Sequence, residues 1–253
     1  MTEQKIKERL VQAGIENAAG EARLMRESLA GEALEQAVDK RCTHYPLQYI
    51  LGEWGFWRES YEVNEHCLVP RPDTEHLVEQ AITRLPQNSR FLDLCTGSGC
   101  VAISTLCSRP DTSAMAVDLF PQTLALAERN AVRNGVRERF TPCLCDVLKG
   151  YESEERFDAI LSNPPYIRAE AMKTLAREVQ HEPAAALWGG EDGLDFYRAI
   201  LEKWRKLLKP NGFFLFEIGY DQAQEIRTLA EEHGLHATVF RDYGGNDRVA
   251  LLE

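Results

Sequence analysis

Along roughly the first forty residues, apolar side chains recur at three- and four-residue steps: Ile6, Leu10 and Val11, then Leu24, Met25 and Leu29, then Leu34, Ala37 and Val38. That period predicts amphipathic helices. Gly14, Gly20 and Gly31 punctuate the run, so two or three short helices are expected, forming a small helical appendage. From residue 45 the pattern changes. The stretch "PLQYILGEWGFWRESYEVNEHCLVPRPDTE" is rich in aromatics, contains Gly52 and Gly55, and alternates around Tyr61 and Val63. It predicts a short β-hairpin. Pro70 and Pro72 close it, and Asp73 or Thr74 is placed to cap the helix that follows.

From about residue 89 strand-like and helix-like segments alternate. Strands are predicted at 90–94, 114–118, 140–145, 157–162 and 212–218, each followed by a helix. Such alternation gives an α/β fold, a doubly wound and mostly parallel sheet with crossover helices. The end of the chain differs. In "TVFRDYGGNDRVALLE" two strand-like runs flank Gly244-Gly245-Asn246-Asp247, which reads as an antiparallel hairpin. The expected organisation is a small helical N-terminal domain over 1–44, a linking hairpin over 45–70, and the α/β domain over 71–253.

Composition narrows the function classes. The chain has 253 residues, enough for one large domain with a small appendage, and its net charge of −11 argues against a generic grip on a nucleic-acid backbone. No apolar run approaches membrane length, and the opening "MTEQKIKERL" is polar, so neither signal peptide nor anchor is expected. Seven cysteines without a CxxC pair read as reduced cytoplasmic thiols used as small hydrophobes, with Cys143 and Cys145 on one face of a strand. No metal site is expected. The basic run "RKLLK" at 205–209 reads as the last turn of a helix, where cations suit the dipole.

Two turns carry the chemistry. In "RFLDLCTGSGCVAIS" a strand ends near Leu94 and passes through Cys95, Thr96, Gly97, Ser98 and Gly99 into an apolar helix. Glycines there let the backbone approach a ligand, and the helix start offers free N–H groups. The next strand ends in Asp118, placed to bind both hydroxyls of a ribose. The turn is one glycine short of a dinucleotide fingerprint and lacks a Walker lysine, so a pyrophosphate ligand fits poorly. Asp93 would repel phosphate and suit a positive amino group. S-adenosylmethionine joins ribose, adenine, ammonium and sulfonium, and fits. At the end of the third strand, Asp146 either accepts from the adenine amino group, beside Val147, or is a cap or solvated loop acid.

The second turn is "SNPPYI". Two prolines cannot continue a central strand, because each removes a ladder donor. Methylating a planar nitrogen needs two acceptors aimed at its two N–H bonds, orienting the nitrogen as charge develops. The Asn163 side-chain oxygen and the Pro164 carbonyl can serve. Pro165 fixes Pro164 in extended geometry, and Tyr166 offers a flat face to a planar group.

Together "DLCTGSG", "AVDLF" and "SNPPYI" resemble the class I, S-adenosylmethionine-dependent methyltransferases that modify nitrogen. "PLQYILGEWGFW", "LVPRPDTE" and "RDYGGNDRV" are similar to the peptide chain release factor glutamine methyltransferase family, over nearly everything from residue 45 onward. The resemblance implies a Rossmann-like, seven-stranded sheet with a terminal antiparallel hairpin, behind a helical domain that helps dock substrate. It implies N5-methylation of the glutamine in the Gly-Gly-Gln motif of class 1 release factors. By the same resemblance Cys95–Gly99, Asp118, Val147 and Asn163 would contact the cofactor, beside the Asp93 and Asp146 read above, and Asn163–Tyr166 would hold the substrate amide. Arg71 and Glu75 would brace the site wall, Arg71 on the substrate side. Family members usually carry glycine where this chain has Cys95, and their helical N-terminal region is usually longer. Competing readings are a glutamine methyltransferase acting on a ribosomal protein, an adenine or guanine amino-methyltransferase acting on DNA or RNA, and a non-catalytic cofactor-binding module.

Overall fold

The computed structural model describes residues 1–253. Three helices open the chain: α1 (Glu3–Gln12), α2 (Ala18–Ser28) and α3 (Gly31–Cys42). Thr2 caps α1 by accepting from the Lys5 amide at 3.3 Å. Gly14 turns between the first two helices at φ +79°, whereas Gly20 lies inside α2 and ends nothing. With the short α4 (Leu47–Leu51), these helices bury Ile6, Leu10, Met25, Leu34, Val38 and Leu47 in an apolar cluster of their own. Most of the spaced hydrophobics thus form the inner stripe that each helix needs, but Val11 is exposed.

The expected hairpin forms from β1 (Glu53–Phe56) and β2 (Glu59–Glu62), paired antiparallel. Its Tyr61 is fully buried and bonds Ser104 Oγ at 2.6 Å, so the hairpin packs onto the main sheet's core. One expectation fails at the next helix. A 3₁₀ turn over Pro72–Thr74 precedes α5 (Glu75–Arg84), and neither Asp73 nor Thr74 caps α5 with its side chain. Thr74 is occupied with Asn163 and Asp73 with Arg248.

The main sheet has seven strands: β3 (Arg90–Leu94), β4 (Ser113–Asp118), β5 (Phe140–Leu144), β6 (Phe157–Ser162), β7 (Leu208–Glu217), β8 (Ala237–Arg241) and β9 (Asp247–Leu252). They lie in the order β5-β4-β3-β6-β7-β9-β8. The first five are mutually parallel, and β9 runs antiparallel to both neighbours. The predicted mostly parallel sheet with a terminal hairpin is therefore correct. Helices α6 (Cys100–Ser108), α7 (Pro121–Arg133), α8 (Asp195–Lys203) and α9 (Ala223–Glu232), with α5, cover its two faces. Nearly continuous burial along β3 and β6 follows from cover on both faces.

Strand β7 begins four residues earlier than expected, and "RKLLK" is not a helix end. α8 stops at Lys203, residues 205–207 form a 3₁₀ turn, and Leu208 already pairs with Phe157. Trp204 ends the helix by burying its indole and donating Nε1–H to the Val147 carbonyl at 2.9 Å. All seven cysteines are free, and Cys143 and Cys145 pack against the same apolar layer.

The helical unit is tied to the rest by Arg41. Its guanidinium is almost fully buried, meets Glu21 at 2.5 Å and reaches Glu178 in a distant loop at 2.5 Å. Removing one member of a buried pair leaves an uncompensated charge, so Arg41→Ala is expected to cost about 3 kcal/mol. Arg23→Ala, breaking the exposed pair with Glu27, should leave stability almost unchanged. Urea unfolding of both variants measures the difference, and equal midpoints would contradict the role given to Arg41.

Candidate active site

In doubly wound sheets, ligands bind beyond the carboxyl ends of the parallel strands. A cavity of about 330 Å³ opens there. Its wall is the glycine turn between β3 and α6. Three residues of that turn alternate into left-handed backbone: Cys95 at φ +60°, Gly97 at +56° and Gly99 at +83°. Cys95, Thr96, Gly97 and Ser98 all line the cavity. A β-carbon on Gly97 would meet nothing within 4 Å, so its backbone is open to an approaching ligand. Gly99 faces the other way. A β-carbon there would come within 2.8 Å of Ile103 Cδ1 and 3.2 Å of Ala127 Cβ, so this glycine lets α6 and α7 close.

Cys95 occupies a conformation that costs a non-glycine residue about 1–2 kcal/mol. Glycine would meet no such cost at this point. Here the thiol packs against the apolar layer that holds Tyr197 and Val147, and burial pushes its pKa well above the ordinary thiol value. It is a partly buried hydrophobe, not a nucleophile.

Two acids frame the turn. Asp93 is almost fully buried and accepts from Thr96 Oγ1 at 2.6 Å and the Ala102 amide at 3.2 Å. Both bonds fall on Oδ2. Burial raises its pKa to about 7, against the opposing pull of those two donors. Asp118, at the end of β4, accepts from the Gly97 amide at 3.0 Å and the Phe120 amide at 3.1 Å. Those bonds hold its carboxylate at the cavity lip, and burial raises its pKa too. Asp146 also lines the cavity, but its Oδ1 accepts from the Leu148 amide at 3.0 Å and its Oδ2 lies 3.3 Å from Lys149 Nζ. The loop-acid geometry is therefore present, and the cavity position with it. Val147 lines the cavity beside it.

At the end of β6, Asn163 and Pro165 line the cavity with Pro164 between them in the chain, whereas Tyr166 is set back and does not present the expected flat face to it. Asn163 Nδ2 lies 3.1 Å from Thr74 Oγ1. The Tyr166 hydroxyl points inward and donates to Glu217 Oε1 at 3.2 Å. The corner is backed by Gly189, where a β-carbon would sit 2.7 Å from both the Pro165 carbonyl oxygen and Tyr166 Cα. Only glycine allows that approach. Arg71 lines the cavity and is ion-paired with buried Glu182, which also accepts from the Val69 amide at 2.9 Å. Glu75 does not reach the cavity. It accepts from the Trp57 amide at 2.7 Å and ties the β1–β2 hairpin to α5.

Sequence reasoning missed Thr74 as a contact of Asn163, Glu182 and Trp188 in the loop after the proline corner, and Glu217. Glu217 had a signal, an acid closing the apolar run "GFFLFEIG". Nothing local marks the others.

The family described as "Methyltransferase small domain" matches residues 73–191. The release factor glutamine methyltransferase of Caulobacter vibrioides is 35% identical over 97% of this chain and 92% of that protein. That of Cereibacter sphaeroides is 39% identical over 95% of this chain and 93% of that protein. This chain belongs to the release factor glutamine methyltransferase family. Among solved structures, a methyltransferase from Pyrococcus furiosus superposes with a TM-score of 0.58 at 20% identity, covering 76% of this chain and 86% of that one. At that identity the likeness speaks for the fold alone.

The left-handed position at Cys95 can be tested by stability. Cys95→Gly should stay within about 1 kcal/mol of the parent, because relief of the left-handed backbone offsets chain entropy and lost packing. Cys95→Val, β-branched in the same conformation, should lose about 2 kcal/mol or more and several degrees of Tm. Thermal unfolding decides, and a valine variant as stable as the glycine variant would contradict the strain.

Proposed function

We propose that this protein transfers a methyl group from S-adenosylmethionine to the side-chain amide nitrogen of the Gly-Gly-Gln glutamine in a class 1 release factor. The observation that carries the reading is the cavity-facing Asn163, whose side-chain amide meets Thr74 Oγ1 at one end and leaves the other end to the cavity.

The cavity suits this donor. Asp93 presents a buried carboxylate whose raised pKa marks an unmet need for a cation, which an ammonium group supplies. Asp118 is held by two backbone amides at the distance along the chain that ribose recognition needs. Leu119, Phe120 and Leu148, all partly exposed at the lip, offer apolar surface to a purine. The donor supplies an electrophilic methyl group on a sulfonium, and the rest falls to this chain.

A glutamine amide shares its lone pair with its carbonyl and is a weak nucleophile. Asn163 Oδ1 and the Pro164 carbonyl accept from its two N–H bonds and hold the nitrogen in line with the methyl group. Both are acceptors without donor capacity toward the substrate, so they favour the positive charge that grows on nitrogen. Prolines 164 and 165 fix the backbone that carries them. Asn163 is too weak a base to ionise the amide, so the proton leaves after methyl transfer. Arg71, tied to Glu182, shapes the wall past which the substrate loop enters. The seven unpaired thiols support a reducing, cytoplasmic setting.

Methyl transfer from labelled S-adenosylmethionine to a purified class 1 release factor, beside its Gly-Gly-Gln→Gly-Gly-Ala variant, tests the reading. Label on the unaltered factor alone is expected; label on ribosomal protein or nucleic acid instead would refute it. Asn163→Ala should keep cofactor affinity and lower turnover roughly 10²–10³-fold. Cofactor affinity should also depend on pH. Asp93 must be ionised to meet the ammonium, and burial keeps it protonated below about pH 7. Binding should therefore tighten roughly tenfold between about pH 6 and pH 8, then level off. Calorimetry on the parent and Asp93→Asn checks this, and a variant that retained the pH dependence would sink the assignment.

A further inference from the structure

One buried acid lies outside the mechanism above. Glu217, the last residue of β7, is 2% exposed, and its Oε2 is buried with no hydrogen-bond partner. A buried carboxylate oxygen left unpaired is costly and calls for a reason. Its neighbours supply one. Tyr166 of the proline corner donates to its Oε1, and the Thr74 hydroxyl adjoins the carboxylate and favours its ionised form. Thr74 is also the residue that meets the Asn163 side chain. Glu217 thus sits behind both ends of the corner, touching neither cavity nor substrate.

A threonine hydroxyl accepts or donates with equal ease, so the contact between Thr74 and Asn163 does not by itself decide which way the Asn163 amide faces. An ionised carboxylate is acceptor-only. When ionised it offers its unpartnered Oε2 to the Thr74 proton, which leaves the hydroxyl's lone pair for Asn163 Nδ2. Asn163 Oδ1 then has one place to point, the cavity. We propose that Glu217 is a positioning residue for methyl transfer: through Thr74 it sets the sense of the Asn163 amide, and through Tyr166 it fixes the far end of the proline corner. The inference rests on the amide-holding role given to Asn163.

Protonation undoes the arrangement. With Oε1 engaged by Tyr166, a proton takes the unpartnered Oε2, and Thr74 loses its charged acceptor. Its hydroxyl then turns to donate to Asn163, and the amide inverts to present NH₂ to the substrate NH₂, a repulsive pair. The groups facing Glu217 are Asp73 beside Thr74, Arg248 from β9, Tyr166, Tyr197 from α8 and Cys100 from α6. The Tyr197 hydroxyl donates to the Glu217 backbone carbonyl at 2.8 Å. Burial is the largest influence on the carboxyl and lifts its pKa to about 7, with Thr74, Arg248 and Tyr166 pulling the other way and Asp73 adding to the rise. The ionised, productive form is present above that pH and is lost as pH falls through it.

The test is turnover against pH at saturating cofactor, which removes the contribution of Asp93 to binding. The parent kcat should fall about tenfold per pH unit below about pH 7. Glu217→Gln should lower kcat roughly 10–100-fold, abolish that acid limb, and leave KM for the release factor and cofactor affinity within about threefold. Thr74→Val should reproduce the loss with the carboxylate still in place, and Thr74→Ser should restore the parent profile. A glutamine variant that kept the parent kcat and acid limb, or raised KM alone, would overturn the proposal. A readout independent of activity is the ¹⁵N–¹H signal of the Asn163 side-chain amide. It should titrate with a midpoint near pH 7 in the parent and stay flat in Glu217→Gln; a flat parent signal overturns the proposal. A parent that labels no release factor while its Asn163 signal titrates would instead count against the substrate assignment and leave Glu217 coupled to the corner.

Discussion

Everything proposed for this site depends on a single contact, Asn163 Nδ2 to Thr74 Oγ1 at 3.1 Å. An amide side chain presents either an acceptor or two donors, and only the acceptor helps a substrate NH₂. The fold supplies the partner from a distant point in the chain. Thr74 lies in the 3₁₀ turn before α5, and Asn163 ends β6. What brings them together is the packing of α5 against the sheet through Leu77, Val78 and Ala81, all fully buried. The chemistry therefore rests on an ordinary apolar interface.

The same edge of the sheet concentrates groups that the interior disfavours. Asp93 and Glu217 are both nearly fully buried, and both have pKa values lifted to about 7. Each sits at or just before the carboxyl end of a parallel strand. Such acids weaken the folded state, and they persist where a ligand or a reacting group uses them. Backbone constraint is concentrated in the same place, in the left-handed Cys95 and in the close approach of Gly189 to the proline corner. Rigid strands hold the turns, and the turns hold the chemistry.

The parallel strands, the glycine turn, Asp118 and the proline corner were legible in the sequence because each is written locally. Strands showed as short apolar runs, the turn as spaced glycines, and the corner as two prolines where a strand should continue. The start of β7 was not legible. "KLLKPNG" carries charges and a proline, and only its Leu208 pairs with β6, before a register shift that resumes the pairing at Phe213. Thr74 looked like a helix cap because capping is the local use of a threonine before a helix. Its actual partner lies 89 residues away. Glu182 and Glu217 were hidden for the same reason, since an acid's role depends on what the fold brings beside it. The site's reactive surface could be read from single segments, but the residues that orient it could not.

The most direct measurement is a crystal structure with S-adenosylhomocysteine and a glutamine-containing release-factor fragment bound. The account predicts the substrate amide nitrogen within hydrogen-bonding distance of both Asn163 Oδ1 and the Pro164 carbonyl, with Asn163 Nδ2 still on Thr74. A glutamine bound elsewhere, or held through the nitrogen of Asn163, would contradict it.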